Sequence, residues 1–125
     1  MTSVLNVDTI ADKAGTGPVA LTKQHAAKAW ANLNGSTFGL RDSFNVASAT
    51  DNGTGHHTIS FSNDMSNANY SVSGGGKQTD STSASGTDIN FASLATSSYR
   101  SITNDAGFSL ADCVLNFSSV HGDLA

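Results

Sequence analysis

Residues 51–61 place the tightest limit on what this chain can form. Asp51-Asn52-Gly53-Thr54-Gly55 is a turn signal, because Asn-Gly supplies the positive φ angles that a tight hairpin turn needs. His57-Thr58-Ile59-Ser60-Phe61 follows at once, with His57, Ile59 and Phe61 on one face and Thr58 and Ser60 on the other. Strict alternation after such a turn reads as a half-buried strand.

The rest of the chain repeats this grammar at spacings that suit a sandwich or small barrel. Ala29 to Leu33 carries Trp30 and ends at Asn34-Gly35-Ser36, and Phe38 to Val46 carries Phe38, Leu40, Phe44 and Val46. Asn67 to Gly74 sets Ala68, Tyr70 and Val72 on one side. Thr87 to Phe91, Ser98 to Thr103 and Cys113 to Val120 are further strands. The last sets Cys113, Leu115 and Phe117 against Val114, Asn116 and Ser118, and is expected to close a sheet against an earlier strand. The stretch from Gly74 to Gly86 has no apolar anchor larger than Ala84 and reads as an exposed loop. The expected fold is all-β: a small antiparallel β-sandwich, jelly-roll-like, with an extended N-terminal arm.

The arm precedes a break near residue 25. Ser3 to Ile10 alternates and reads as an extended strand, which stops at residues 11–18, where two glycines and the one proline mark a turn. Thr22 to Lys28 holds helix formers but is too short for a stable independent helix, so it reads as a hinge or a single turn. With 125 residues in the chain, the division expected is an attachment arm over 1–25 and one β-sandwich domain over 26–125. Val4, Val7 and Ile10 are the candidate attachment residues, on an extended segment suited to augmenting or wrapping a neighbour and ordered only in the assembly.

Composition narrows the function. Six Phe, two Tyr and one Trp with a net charge of only -4 describe a folded chain rather than a disordered one. The six Lys and Arg residues are scattered from Lys13 to Arg100, which leaves no basic footprint for nucleic acid. Cys113 stands alone, so the fold does not depend on an internal disulfide and synthesis in a cytoplasm is expected. No leader pattern opens the chain and no run approaches the roughly 20 apolar residues that cross a bilayer, so membrane insertion is not expected.

Catalytic patterns are weak, and the expectation is a non-enzymatic protein without cofactors. His56 and His57 point to opposite faces of a strand, so a metal there needs further ligands: Asp51 beside His56, or equivalent histidines about a symmetry axis. Cys113 sits in an apolar strand as a small hydrophobe, and no Gly-x-Ser-x-Gly elbow is present. The acidic residues lie among turns, where they cap rather than pair. Gly74-Gly75-Gly76 lacks the Lys-Ser or Lys-Thr of a phosphate loop. Tyr70, Tyr99 and Lys77 are the candidate ligand-facing residues for a host-surface glycan; the plainer reading, preferred here, makes both tyrosines sheet residues with tethered hydroxyls. Trp30 and Phe44 are the candidate anchors of the core or of an oligomer interface.

Two stretches also carry a resemblance. Val4-Leu5-Asn6-Val7-Asp8-Thr9-Ile10 with its following turn through Gly17 resembles the start of many tail-fibre and related virion proteins of tailed bacteriophages, marine ones among them. Lys28 to Gly35, Leu40 to Gly55, Thr58 to Phe61 and Asn69 to Val72 are similar to a recurring phage fibre-type β-domain, with a looser match after Gly74. The resemblance implies a virion structural protein assembled in the host cytoplasm, often trimeric, attached to other phage structural proteins by its N-terminal segment with the β-domain outward. Such fibres are commonly longer, and the short chain without a shaft makes a capsid cement or decoration protein the alternative. A carbohydrate-binding adhesin module is the further alternative.

Overall fold

The computed structural model describes residues 26–79 and 87–125. Val4, Val7 and Ile10 lie outside the described residues. Among the described residues eight strands are present: β1 (Ala29–Asn34), β2 (Gly39–Phe44), β3 (Val46–Asp51), β4 (His56–Phe61), β5 (Ser71–Lys77), β6 (Asp88–Ala95), β7 (Ser98–Asn104) and β8 (Leu115–His121). They form two four-stranded antiparallel sheets, β2-β1-β8-β5 and β3-β4-β7-β6, packed face to face. This is the β-sandwich that the alternation predicts, and the described residues contain no helix.

The two inner faces differ in the size of what they bury. Sheet β3-β4-β7-β6 sends Ile59, Phe61 and Tyr99 inward, with Phe91 half-buried beside them. The rings of Phe61, Tyr99 and Phe91 follow one another with centroids 5.6 Å and 6.0 Å apart, and Tyr70 meets Phe61 edge-on at 5.7 Å. Such offset and edge arrangements contribute about 0.5–1.5 kcal/mol each beyond area burial. Sheet β2-β1-β8-β5 answers with small groups, Ala29 and Ala31 on β1 and Ser118 on β8. Large side chains on one sheet fill the space that small ones on the other leave.

The Asp51–Gly55 turn and the His57–Phe61 strand form as expected. Asp51 pairs with His57 across the hairpin, and Gly53 and Gly55 take positive φ angles of 114° and 71°. Two expectations are corrected. Phe38 to Val46 is not one strand: Asn45, at φ 54°, breaks it into β2 and β3, which belong to different sheets. Its side chain fixes that corner, donating from Nδ2 to the Lys28 and Asn63 carbonyls at 3.1 Å each and accepting the Asn63 N–H at 2.7 Å.

Gly74 to Lys77 is not loop but part of β5, paired with Leu115 to Ser118. A Cβ on Gly76 would come within 2.6 Å of Ile89 Cδ1, and one on Gly74 would collide with the Phe117 carbonyl and sit 2.8 Å from Phe91 Cζ. Only glycine lets β5 lie this close to β6 and β8. The inner side of β8 is a mixed one. Asn116, Ser118 and Val120 turn inward, while Phe117 turns out and remains 50% exposed.

Candidate functional site

The facing of β8 and the alternation of β1 together build a distinctive surface among the described residues. With Ala29, Ala31 and Leu33 directed into the core, β1 must present Trp30, Asn32 and Asn34 outward. Trp30 pairs with Phe44 on β2 and with Ser119 on β8, which in turn pairs with Ser73 on β5. One step along the strands, Asp42, Asn32, Phe117 and Gly75 form the next row. The Phe117 ring leans over Gly75, where an added Cβ would stand 2.9 Å from Phe117 Cζ. Lys77 pairs with Leu115 at the far edge.

Trp30 and Phe44 are therefore not core residues, because the period of two that buries Ala29 and Ala31 carries them to the opposite face. Phe44 is 54% exposed. The sheet thus packs Ala29, Ala31, Leu33, Asn116, Ser118 and Val120 inside and carries its aromatic side chains Trp30, Phe44 and Phe117 outside. Phe117 is the member of this group that residue reading missed; its position follows from Asn116 and Ser118 finding partners inside.

Tyr70 and Tyr99 do not stand on an open surface. Both are buried, at 6% and 1% exposure. The Tyr70 hydroxyl lies 2.9 Å and 2.8 Å from the Ala95 and Ser98 carbonyls, and the Tyr99 hydroxyl lies 2.5 Å from Ser118 Oγ. Burial pushes the Tyr99 phenol up to about 12. These are tethered hydroxyls at the ends of core rings, and Lys77 is separated from them on the outer face.

His56 and His57 divide between the faces as strand geometry requires: His57 is buried and His56, paired with Ile102, is half-buried on the other side. Phe38 stacks on the His57 ring at a centroid distance of 5.7 Å and 11° between planes. Asp112 Oδ1 stands 3.8 Å from His57 Nε2 and accepts the Gly55 N–H at 2.7 Å. Neither ring nitrogen has a hydrogen-bond partner among the described residues. Burial pulls the imidazole below its ordinary range, with Asp112 opposing. Cys113 is buried too, and burial pushes its thiol up, away from the thiolate a nucleophile needs.

Elsewhere, an open groove of about 270 Å³ is lined by Thr87, Asp88, Asp105, Ala106 and Phe108. Asp105 Oδ1 accepts the Gly107 and Ser109 N–H groups at 2.8 Å and 2.9 Å, which folds a tight loop that presents Phe108 at 80% exposure. Among the described residues, no three His, Cys, Asp or Glu side chains converge as a metal site. No helix among them is long and apolar enough to cross a membrane.

No protein family model matches the chain, and no curated protein or solved structure matches it either.

Proposed function

We propose that the chain is a non-enzymatic structural protein of a tailed-phage virion. In this reading it is a surface module of a tail fibre or of the head, held to the particle by residues 1–25 and associated with copies of itself. The observation that carries it is the outer face of the β2-β1-β8-β5 sheet, where Phe44 and Phe117 are about half exposed and Trp30 is half-buried on the strand between theirs. Aromatic side chains grouped among polar residues on one outer face are the composition in which association surfaces are enriched. The phage setting is supported by the resemblance of residues 4–17 and of the segments between Lys28 and Val72. A capsid cement role uses the same two parts, an arm and a face, and differs in location.

Imaging of purified particles of the phage that encodes the chain, with and without the gene, tests the reading. Density for the sandwich at regular positions on head or tail, lost with the gene, is the expected result. Deleting residues 1–25 should leave a folded module that no longer joins the particle. Particles that are complete and lack this chain would overturn the proposal.

A further inference from the structure

We infer that the outer face of the β2-β1-β8-β5 sheet binds the same face of a second copy about a two-fold axis running parallel to the strands. The inference deepens the self-association in the reading above and names its surface and symmetry.

The argument starts from the order of side chains across the sheet. One row reads Phe44, Trp30, Ser119, Ser73, and the next reads Asp42, Asn32, Phe117, Gly75. A two-fold axis along the strands, between β1 and β8, lays β2 of each copy over β5 of the other, and β1 over β8. Trp30 then stands over Ser119 of its mate, Phe44 over Ser73, and Phe117 over Asn32. Trp30 and Phe44 each meet a serine and Phe117 meets an asparagine, and each such contact occurs twice, as an isologous interface requires. Threefold closure instead joins two different patches of each copy. The face is a single patch that complements itself.

Charge is placed consistently with this packing. The aromatic centre carries none, while Asp42 stands at the β2 edge and Lys77 at the β5 edge. The axis brings the Asp42 edge of one copy over the Lys77 edge of the other, one pleat step apart along the strand. Arg41 falls at the β2 bulge beside Asp42, where the register with β1 shifts.

Size sets the strength. Four strands about 4.8 Å apart, each roughly 20 Å long, give a face of roughly 400 Å². Pairing two of them buries roughly 800 Å² of flat area, somewhat more with side-chain relief, which is at the low end for a specific complex. The dimer should therefore dissociate on dilution.

Trp30 is the one tryptophan in the chain and lies inside the proposed interface, so it reports directly. Light scattering and tryptophan emission on the full chain over a dilution series should show twice the 12.8 kDa chain mass at high concentration. Emission should move to the red as the mass falls to that of one chain. Phe44→Ser, on a side chain already half in solvent, should raise the dissociation midpoint at least tenfold with the thermal transition little changed. Asp42→Lys should raise it as well, and the double exchange Asp42→Lys with Lys77→Asp should bring it back toward the parent value. A trimer would overturn the two-fold pairing and leave the virion reading standing. A monomer at every concentration would overturn both. A dimer indifferent to Phe44→Ser would remove this face as its seat, and failure of the double exchange to restore association would overturn the axis.

Discussion

Tyr99 of β7 and Ser118 of β8 meet across the sandwich with their hydroxyl oxygens 2.5 Å apart, both groups buried. One step along, Asn116 Nδ2 donates to Ser101 Oγ at 3.0 Å. These two bonds join the sheets through buried polar groups, and they determine which side of β8 turns inward. A slip of one residue would bury Phe117 where Ser118 now stands and strand the Tyr99 hydroxyl. The aromatic outer face is thus a consequence of a polar inner one.

Ser118→Ala should destabilise the fold by about 1–3 kcal/mol, because it leaves the Tyr99 hydroxyl buried without its partner. Tyr99→Phe removes the other half. The double variant should cost less than the sum of the two singles, since the second change strands nothing further. Urea denaturation of the four proteins gives the coupling directly. Strict additivity would mean that the 2.5 Å contact carries no stabilisation of its own.

The three glycines of β5 should rank by what their Cβ would strike. At Gly74 the obstacles are the Phe117 carbonyl and the Phe91 ring, and at Gly76 they are Ile89 Cδ1 at 2.6 Å and the Leu115 carbonyl at 2.9 Å. At Gly75 the near atoms all belong to the partly exposed Phe117 ring, which can swing away. Alanine at 74 or 76 should therefore cost about 1–3 kcal/mol or more as overpacking, and alanine at 75 clearly less. Thermal melts of the three single variants test the order, and an equal loss at all three positions would contradict it.

His57 should make stability fall on mild acidification. Its folded-state pKa lies below the ordinary histidine value of about 6.5, mainly through burial, with Asp112 and Asp51 raising it and His56 lowering it. Above that ordinary value the ring is neutral in both states and contributes nothing to the pH dependence. Below it the unfolded chain takes up a proton that the folded one resists, so stability is lost until the folded pKa is reached. His57→Phe keeps a flat ring against Phe38 and breaks no hydrogen bond of the imidazole. The variant should gain on the parent protein between pH 7 and pH 5 in urea titrations, and a constant difference across that range would rule the mechanism out.

How much of this was legible beforehand depends on whether a strand's partners are local. β1, β4 and β7 bury every second residue, and their alternation gave both the strands and the all-β class. The turn at Asn52-Gly53 gave the β3–β4 hairpin. β8 was readable as a strand but not in its facing, because Asn116 and Ser118 are tolerable inside only where Ser101 and Tyr99 wait on the other sheet. The glycine run looked like loop because its packing partners, Ile89, Phe91 and Phe117, lie far along the chain. Trp30 and Phe44 stand out as large aromatics in their strands, but whether they face core or solvent turned on Ala29 and Ala31 being small enough for the aromatic layer opposite.

Asn45 is the clearest case of a residue whose role no pattern announces, and it gives a sharp test. It follows Phe44 and precedes Val46 without interrupting the apolar alternation, yet it turns the chain from one sheet into the other at φ 54°. Asparagine tolerates that conformation better than other residues with a side chain, and a typical L-residue there costs roughly 1–2 kcal/mol. Its side chain also donates to the Lys28 and Asn63 carbonyls and accepts the Asn63 N–H. Asn45→Gly should lose the bonds while easing the backbone, Asn45→Ala should lose the bonds and keep the strain, and Asn45→Asp should keep the acceptor while aiming a carboxylate at two carbonyl oxygens. Alanine should therefore be less stable than glycine by about 1 kcal/mol, the cost of the left-handed conformation. Both should lie below the parent, and aspartate should fall below it too, more so as its carboxyl ionises. If glycine instead matched the parent protein, the side-chain bonds would be idle and the corner would need only a permissive backbone.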